Sequence, residues 1–122
     1  MERLLNDLPV LDSRPLRDLL DLGAAPALIQ ELITLFEEDV PTRVTLLRMA
    51  LAASDAQQTM MEAHQLKGAL SNMGLVRFAD LVSRIEAQAR EGRLEQVPGM
   101  AETFSAAFVE ALQALNTAYP RA

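Results

Sequence analysis

Apolar residues along the chain recur at spacings of three and four, and no stretch alternates with the period of two that marks a strand. After an extended lead-in at Pro9-Val10-Leu11, Asp12 or Ser13 can N-cap a short helix with Pro15 in its first turn. Leu16, Leu19 and Leu20 follow until Gly23 ends it. A second pattern runs from about Pro26 to about Ala53, with Leu28, Leu32, Leu35 and Phe36 as one stripe and Val44, Leu47 and Leu51 continuing it. Pro41 falls inside and removes one backbone bond, so one long, bent helix is expected. Ser54 restarts the chain as an N-cap, and Gln57 completes a capping-box pattern. That third helix runs to about Asn72, with Gly74 as its stop. Leu75 to about Glu91 forms the next, carrying Phe78, Val82 and Ile85 and closed by Gly92. The last begins near Val97-Pro98 and ends before Pro120, with Phe104, Phe108, Leu112 and Leu115 on its apolar side. Short connections make this an all-α chain: an antiparallel four-helix bundle with a short extra N-terminal helix, read as one domain over residues 1–122.

Placing residues 56–73 on a helical wheel puts Ala56, Thr59, Ala63, Leu66, Leu70 and Met73 within a sector about 100° wide, the width of a core stripe. His64 lies about 120° from the centre of that sector, on the outer face with Lys67, Gly68 and Ser71. Met60 and Met61 come one turn earlier. A lone histidine is usually a satisfied structural ring, but this phase turns it away from the core. Gly68 stands four residues after it on the same face, although a mid-helix glycine costs about 1 kcal/mol relative to alanine. Close packing against another helix would explain such a glycine; so would clearance for a partner approaching the imidazole. Lys67, at i+3, sets a positive charge beside the ring. The two methionines add adaptable apolar surface suited to docking.

Composition narrows the chemistry around that ring. His64 is the only histidine and the chain has no cysteine, which removes disulfides, thiol nucleophiles and Cys-ligated metals together. The di-iron bundle pattern wants Glu three residues before His, and that position is Met61; we therefore expect no metal and no cofactor. The net charge of −6 argues against a nucleic-acid binder. No apolar run approaches a membrane span, and Met1 through Leu8 is too polar for a secretory leader. A cytoplasmic location is the expectation, and the run from Met1 through a complete bundle reads as a free-standing module and a monomer.

Charge is also uneven. Residues 63–93 hold five cations (Lys67, Arg77, Arg84, Arg90, Arg93) and three anions, a balance of +2, whereas the remainder balances at −8. That positive stretch suits an acidic or phosphorylated partner, with Met60, Met61, Ser71, Arg77 and Arg84 as candidate docking residues.

An imidazole titrates near ~6.5 in peptides, so its neutral form serves as a nitrogen nucleophile at cytoplasmic pH. Phosphoryl transfer needs mainly positioning and charge neutralisation, and an exposed His with a nearby ammonium and open approach suffices for half of it. The sequence has no phosphate-cradling glycine loop and no kinase signature, so it is read as a phosphocarrier without ATP-dependent activity of its own. A turn at Gly74 brings residues near position 84 level with His64. Glu86, at the edge of the next apolar stripe, can then accept a hydrogen bond from the imidazole or remain a solvated glutamate.

The run His64-Gln65-Leu66-Lys67-Gly68-Ala69-Leu70-Ser71-Asn72-Met73-Gly74 resembles the histidine-containing phosphotransfer (HPt) domains of bacterial phosphorelays, whose pattern is His-x-Leu-Lys-Gly with a glycine six residues later. Pro9-Val10-Leu11-Asp12, Phe36-Glu37-Glu38-Asp39-Val40-Pro41 and Ala87-Gln88-Ala89-Arg90-Glu91-Gly92 extend the likeness over nearly the whole chain. The resemblance implies that His64 accepts the phosphoryl group, Lys67 steadies it, Gly68 gives a receiver domain clearance and Glu86 holds the imidazole. It implies receiver domains of a hybrid kinase or response regulator as partners, with magnesium carried by the receiver. A departure is that, where small or hydroxyl residues are common just after Lys-Gly, Ala69 and Leu70 leave only Ser71 as a hydroxyl. The competing reading is a non-catalytic helical adaptor using the same face only for binding.

Overall fold

A computed structural model describes residues 8–120. Within them lie six helices: α1 (Arg14–Asp21), α2 (Pro26–Ala52), α3 (Ala56–Asn72), α4 (Val76–Arg90), α5 (Val97–Ala101) and α6 (Phe104–Ala118). The architecture is the expected all-α bundle, α2, α3, α4 and α6 packing around one core with α1 added at the N-terminal end. All but Leu8 of the segment read as too polar for a leader lies outside the described residues.

Asp12 secures α1, its carboxylate accepting the Arg14 backbone N–H at 3.0 Å, while the Ser13 side chain makes no cap bond. In α2 the helix runs unbroken through Pro41. Its buried side is Ile29, Ile33, Phe36, Val40, Leu47 and Ala50; of the expected stripe Phe36 and Leu47 are buried and Leu32, Val44 and Leu51 pack against the core, whereas Leu28 and Leu35 are 37% and 57% exposed. The first half of α2 differs because it is rich in leucine on both sides, so apolar spacing alone does not select the inner face there.

The start of α3 also differs from expectation. Asp55 is the cap, accepting the Gln58 N–H at 3.0 Å. Ser54 instead closes α2 from the left-handed region (φ 54°), its N–H bonding the Leu51 carbonyl while the Asp55 N–H bonds that of Ala50. The α3–α4 turn was placed correctly: Gly74 has φ +80°, and a Cβ there would collide with the carbonyl oxygen of Asp12. Its own carbonyl accepts the Asp12 N–H at 2.7 Å, fastening the lead-in to the hairpin.

The last expected helix is two. After α5, Thr103 turns its hydroxyl back to the Met100 carbonyl at 2.7 Å, and α6 starts afresh at Phe104. The break lets both Ala101 and Phe104 bury. Phe104 packs 5.9 Å from Phe78, and Phe108 stacks on Phe36 at 5.4 Å. These contacts leave α3 and α4 as a tightly paired antiparallel hairpin with one side on the core and its seam at the surface.

Candidate functional site

The inner stripe of α3 is where the wheel placed it: Thr59, Ala63, Leu66, Leu70 and Met73 are buried, with Ala56 partly so. Burying those residues fixes the helix rotation, and His64 therefore points outward with 68% of its side chain exposed. Across the seam stands Glu86 on α4. Among the described residues it is the only charged residue that is buried, its side chain 4% exposed. Its Oε2 lies 2.9 Å from His64 Nδ1.

That contact settles which ring nitrogen does what. A carboxylate can only accept, so Nδ1 carries the proton and donates it to Glu86. In the neutral ring Nε2 then keeps its lone pair. Burial pushes the Glu86 carboxyl upward, but hydrogen bonds from Lys67 and then His64, with their charges, outweigh it and hold the group below its ordinary value. Glu86 is thus the ionised, fixed acceptor the imidazole needs.

Lys67 sits alongside, Nζ 2.8 Å from Glu86 Oε1 and 33% exposed. Arg90 donates to Oε2 from the other side at 2.9 Å. Sequence reasoning counted Arg90 only in the regional charge. Its spacing of four from Glu86, the geometry of a helix-face ion pair, was the signal that places it here. The full burial of Glu86 was also missed, since an edge position on a stripe reads equally as solvated.

Gly68 is exposed one turn beyond His64, and a Cβ added there would meet nothing within 4 Å. Packing within the chain therefore does not account for this glycine. Met60, half-buried, and Met61, 44% exposed, line an open depression with His64, Gln65, Glu86 and Arg90. Ser71 is exposed farther along the same face.

Two candidate docking residues do not join this group. Arg77 turns its guanidinium to the Leu8 carbonyl, at 2.6 and 2.9 Å, and to Glu110 at 3.2 Å, bracing the N-terminal lead-in. Arg84 pairs with Asp80 at 3.0 Å, about 160° around α4 from Glu86 by helical phase. The positive balance of residues 63–93 is thus spread over two sides of the hairpin, and only Lys67 and Arg90 flank the histidine. Among the described residues no three His, Cys, Asp or Glu side chains converge as a metal cage requires, and no helix is long and apolar enough to cross a membrane.

Comparison with known proteins bears on this geometry. The Hpt domain family model matches residues 31–118. The crystal structure of histidine-containing phosphotransfer protein B (HptB) from Pseudomonas aeruginosa PAO1 is similar at 30% identity. It matches with a TM-score of 0.77, over 95% of this chain and 99% of that one. No curated protein matches the sequence.

Proposed function

The chain belongs to the Hpt domain family of histidine phosphocarriers, and on that premise we propose that His64 takes a phosphoryl group from a receiver domain's aspartyl phosphate and passes it to the aspartate of another receiver. The observation that carries the reading is the outward ring whose Nδ1 is held on buried Glu86 at 2.9 Å, leaving Nε2 presented to a partner.

In the forward step the Nε2 lone pair attacks phosphorus, the N–P bond forms and the P–O bond to the receiver aspartate breaks. The aspartate leaves as a carboxylate and the imidazole, still protonated at Nδ1, carries a positive charge. Glu86 is placed to stabilise that charge, and the preorganised carboxylate needs no rearrangement as it develops. The reverse sequence delivers the group to the next receiver. Lys67 contributes its ammonium to the phosphoryl oxygens, and the empty space at Gly68 admits the receiver's active-site loop. The magnesium ion of the reaction is assigned to the receiver, and the carrier works as a monomer in the cytoplasm. Met60, Met61 and Ser71 serve as the docking margin.

Incubating the protein with a phosphorylated receiver tests this directly. An acid-labile phosphoramidate should form on the wild-type chain and be absent from His64→Gln. Transfer that persists in His64→Gln overturns the assignment and leaves the adaptor reading, in which the same face only binds.

A further inference from the structure

The chain has no cysteine, so any oxidation at sulfur falls to its methionines. Among the described ones, Met73 is buried in the core and Met60 and Met100 are half-buried. Met49 and Met61 are exposed, at 62% and 44%. Of that pair only Met61 belongs to the site, lining the open depression beside His64, Gln65, Glu86 and Arg90.

Its register along α3 matters as much as its exposure. Met61 precedes Gly68 by seven residues, so the two fall within about 20° of one line down the outer face, about 10 Å apart. His64 lies between them, about 60° aside from Met61. A partner that uses the open space at Gly68 to reach the ring therefore also covers Met61. A thioether is apolar and adapts to such a surface, whereas its sulfoxide is polar and chiral. Because Met61 stands outside the buried stripe of α3, that change leaves the core packing intact; the same change at Met73 would not.

We infer that Met61 is a modification site at which a peroxide uncouples the carrier from its receivers. The sulfur lone pair attacks one peroxide oxygen, and the S–O bond forms as the O–O bond breaks. Sulfur is oxidised by two electrons. The hydrogen shed by the transferred oxygen joins the departing hydroxide, which leaves as water. His64, Lys67 and Glu86 are chemically untouched, so the ring keeps its reactivity and loses its partner. The inference rests on the phosphotransfer reading and adds to it the regulation of the same site.

The test uses the full chain as wild type, Met61→Leu and Met49→Leu. Each is treated with hydrogen peroxide at a dose for which peptide mass spectrometry finds wild-type Met61 oxidised and Met73 intact, and for which urea unfolding is unchanged. Two reactions are read, each against the same variant's untreated rate. One is transfer from a phosphorylated receiver. The other is loading by potassium phosphoramidate, a small donor that needs no docking face; its P–N bond breaks with loss of ammonia as the N–P bond to His64 forms. Receiver transfer to the wild type and to Met49→Leu should fall about fivefold on treatment, the scale of covering one more polar oxygen without a dedicated partner, while phosphoramidate loading changes less than about twofold. Met61→Leu has no sulfur at that position, and its treated and untreated transfer rates should agree within about twofold. Undiminished transfer to wild type with Met61 oxidised, an equal loss in Met61→Leu, or a parallel loss of phosphoramidate loading overturns the inference. Failure of the parent reading shows differently, as no transfer from the phosphorylated receiver to the untreated wild-type chain, and takes the inference with it.

Discussion

Helix α4 carries two acid–base pairs of the same spacing, Asp80–Arg84 and Glu86–Arg90, with N···O distances of 3.0 and 2.9 Å. In sequence they look alike. In the molecule they differ by their surroundings: the Asp80 side chain is 31% exposed and pairs with Arg84, whereas Glu86 is 4% exposed and receives Lys67, His64 and Arg90 at once. The first is an ordinary surface pair, worth at most about 1 kcal/mol. The second is a buried charge that must be fully paired to exist, and its partners include His64, the proposed nucleophile. The lesson is that an ion pair becomes a site when burial makes the acid dependent on its donors and one donor is reactive.

Breaking each pair in turn should separate them. Glu86→Gln removes the charge that stabilises the imidazolium while keeping an oxygen for Nδ1, and receiver-dependent transfer should slow at least about tenfold, the equivalent of ~1.4 kcal/mol. Asp80→Asn should leave that rate unchanged in the same assay. The second break is in stability: urea unfolding at neutral pH should show Glu86→Gln losing about 1–3 kcal/mol, against less than about 1 kcal/mol for Asp80→Asn.

Acid sharpens the same contrast. Because the folded Glu86 carboxyl titrates below its ordinary value of 4.5, its contribution is complete above that value and is lost as pH falls through the lowered folded one. In that window the unfolded chain binds the extra proton, so wild-type stability should fall toward that of Glu86→Gln as unfolding is repeated at decreasing pH. A stability gap between the two that stays constant through the acid range would contradict the role given to the carboxylate.

The smallest structural effect is expected at Gly68, where partner and protein make opposite demands. With nothing within 4 Å of an added Cβ, Gly68→Ala should raise helix stability by about 0.5–1 kcal/mol. Gly68→Gln should fold as well as wild type yet slow transfer from a receiver, as read by phosphorylation kinetics. Normal kinetics in that variant would remove the clearance argument.

How far the sequence carried these conclusions depended on whether local pattern or tertiary packing decided the matter. The face of α3 was legible because its small and apolar residues occupy one sector, and that alone turned His64 outward. The face of α2 was legible only in part: Phe36 and Leu47 are buried as expected, but leucines surround its first half and packing against α3 and α6 selects Ile29 and Ile33 over Leu28 and Leu35. The α5–α6 break escaped notice because it depends on a threonine hydroxyl turning back on a carbonyl within an otherwise helical run. Within the site, Glu86 was found by counting across the turn at Gly74. Arg77 and Arg84 were grouped with the histidine by proximity in sequence, and helical phase separates them from it.

The central claim is that Glu86 fixes the proton on Nδ1 and so makes Nε2 the nucleophile. Phosphorylating the 15N-histidine-labelled protein with a phosphorylated receiver and reading 31P–15N coupling at His64 tests it most directly. The account predicts phosphorus bonded to Nε2 with Nδ1 still protonated. Phosphorus on Nδ1 would contradict it.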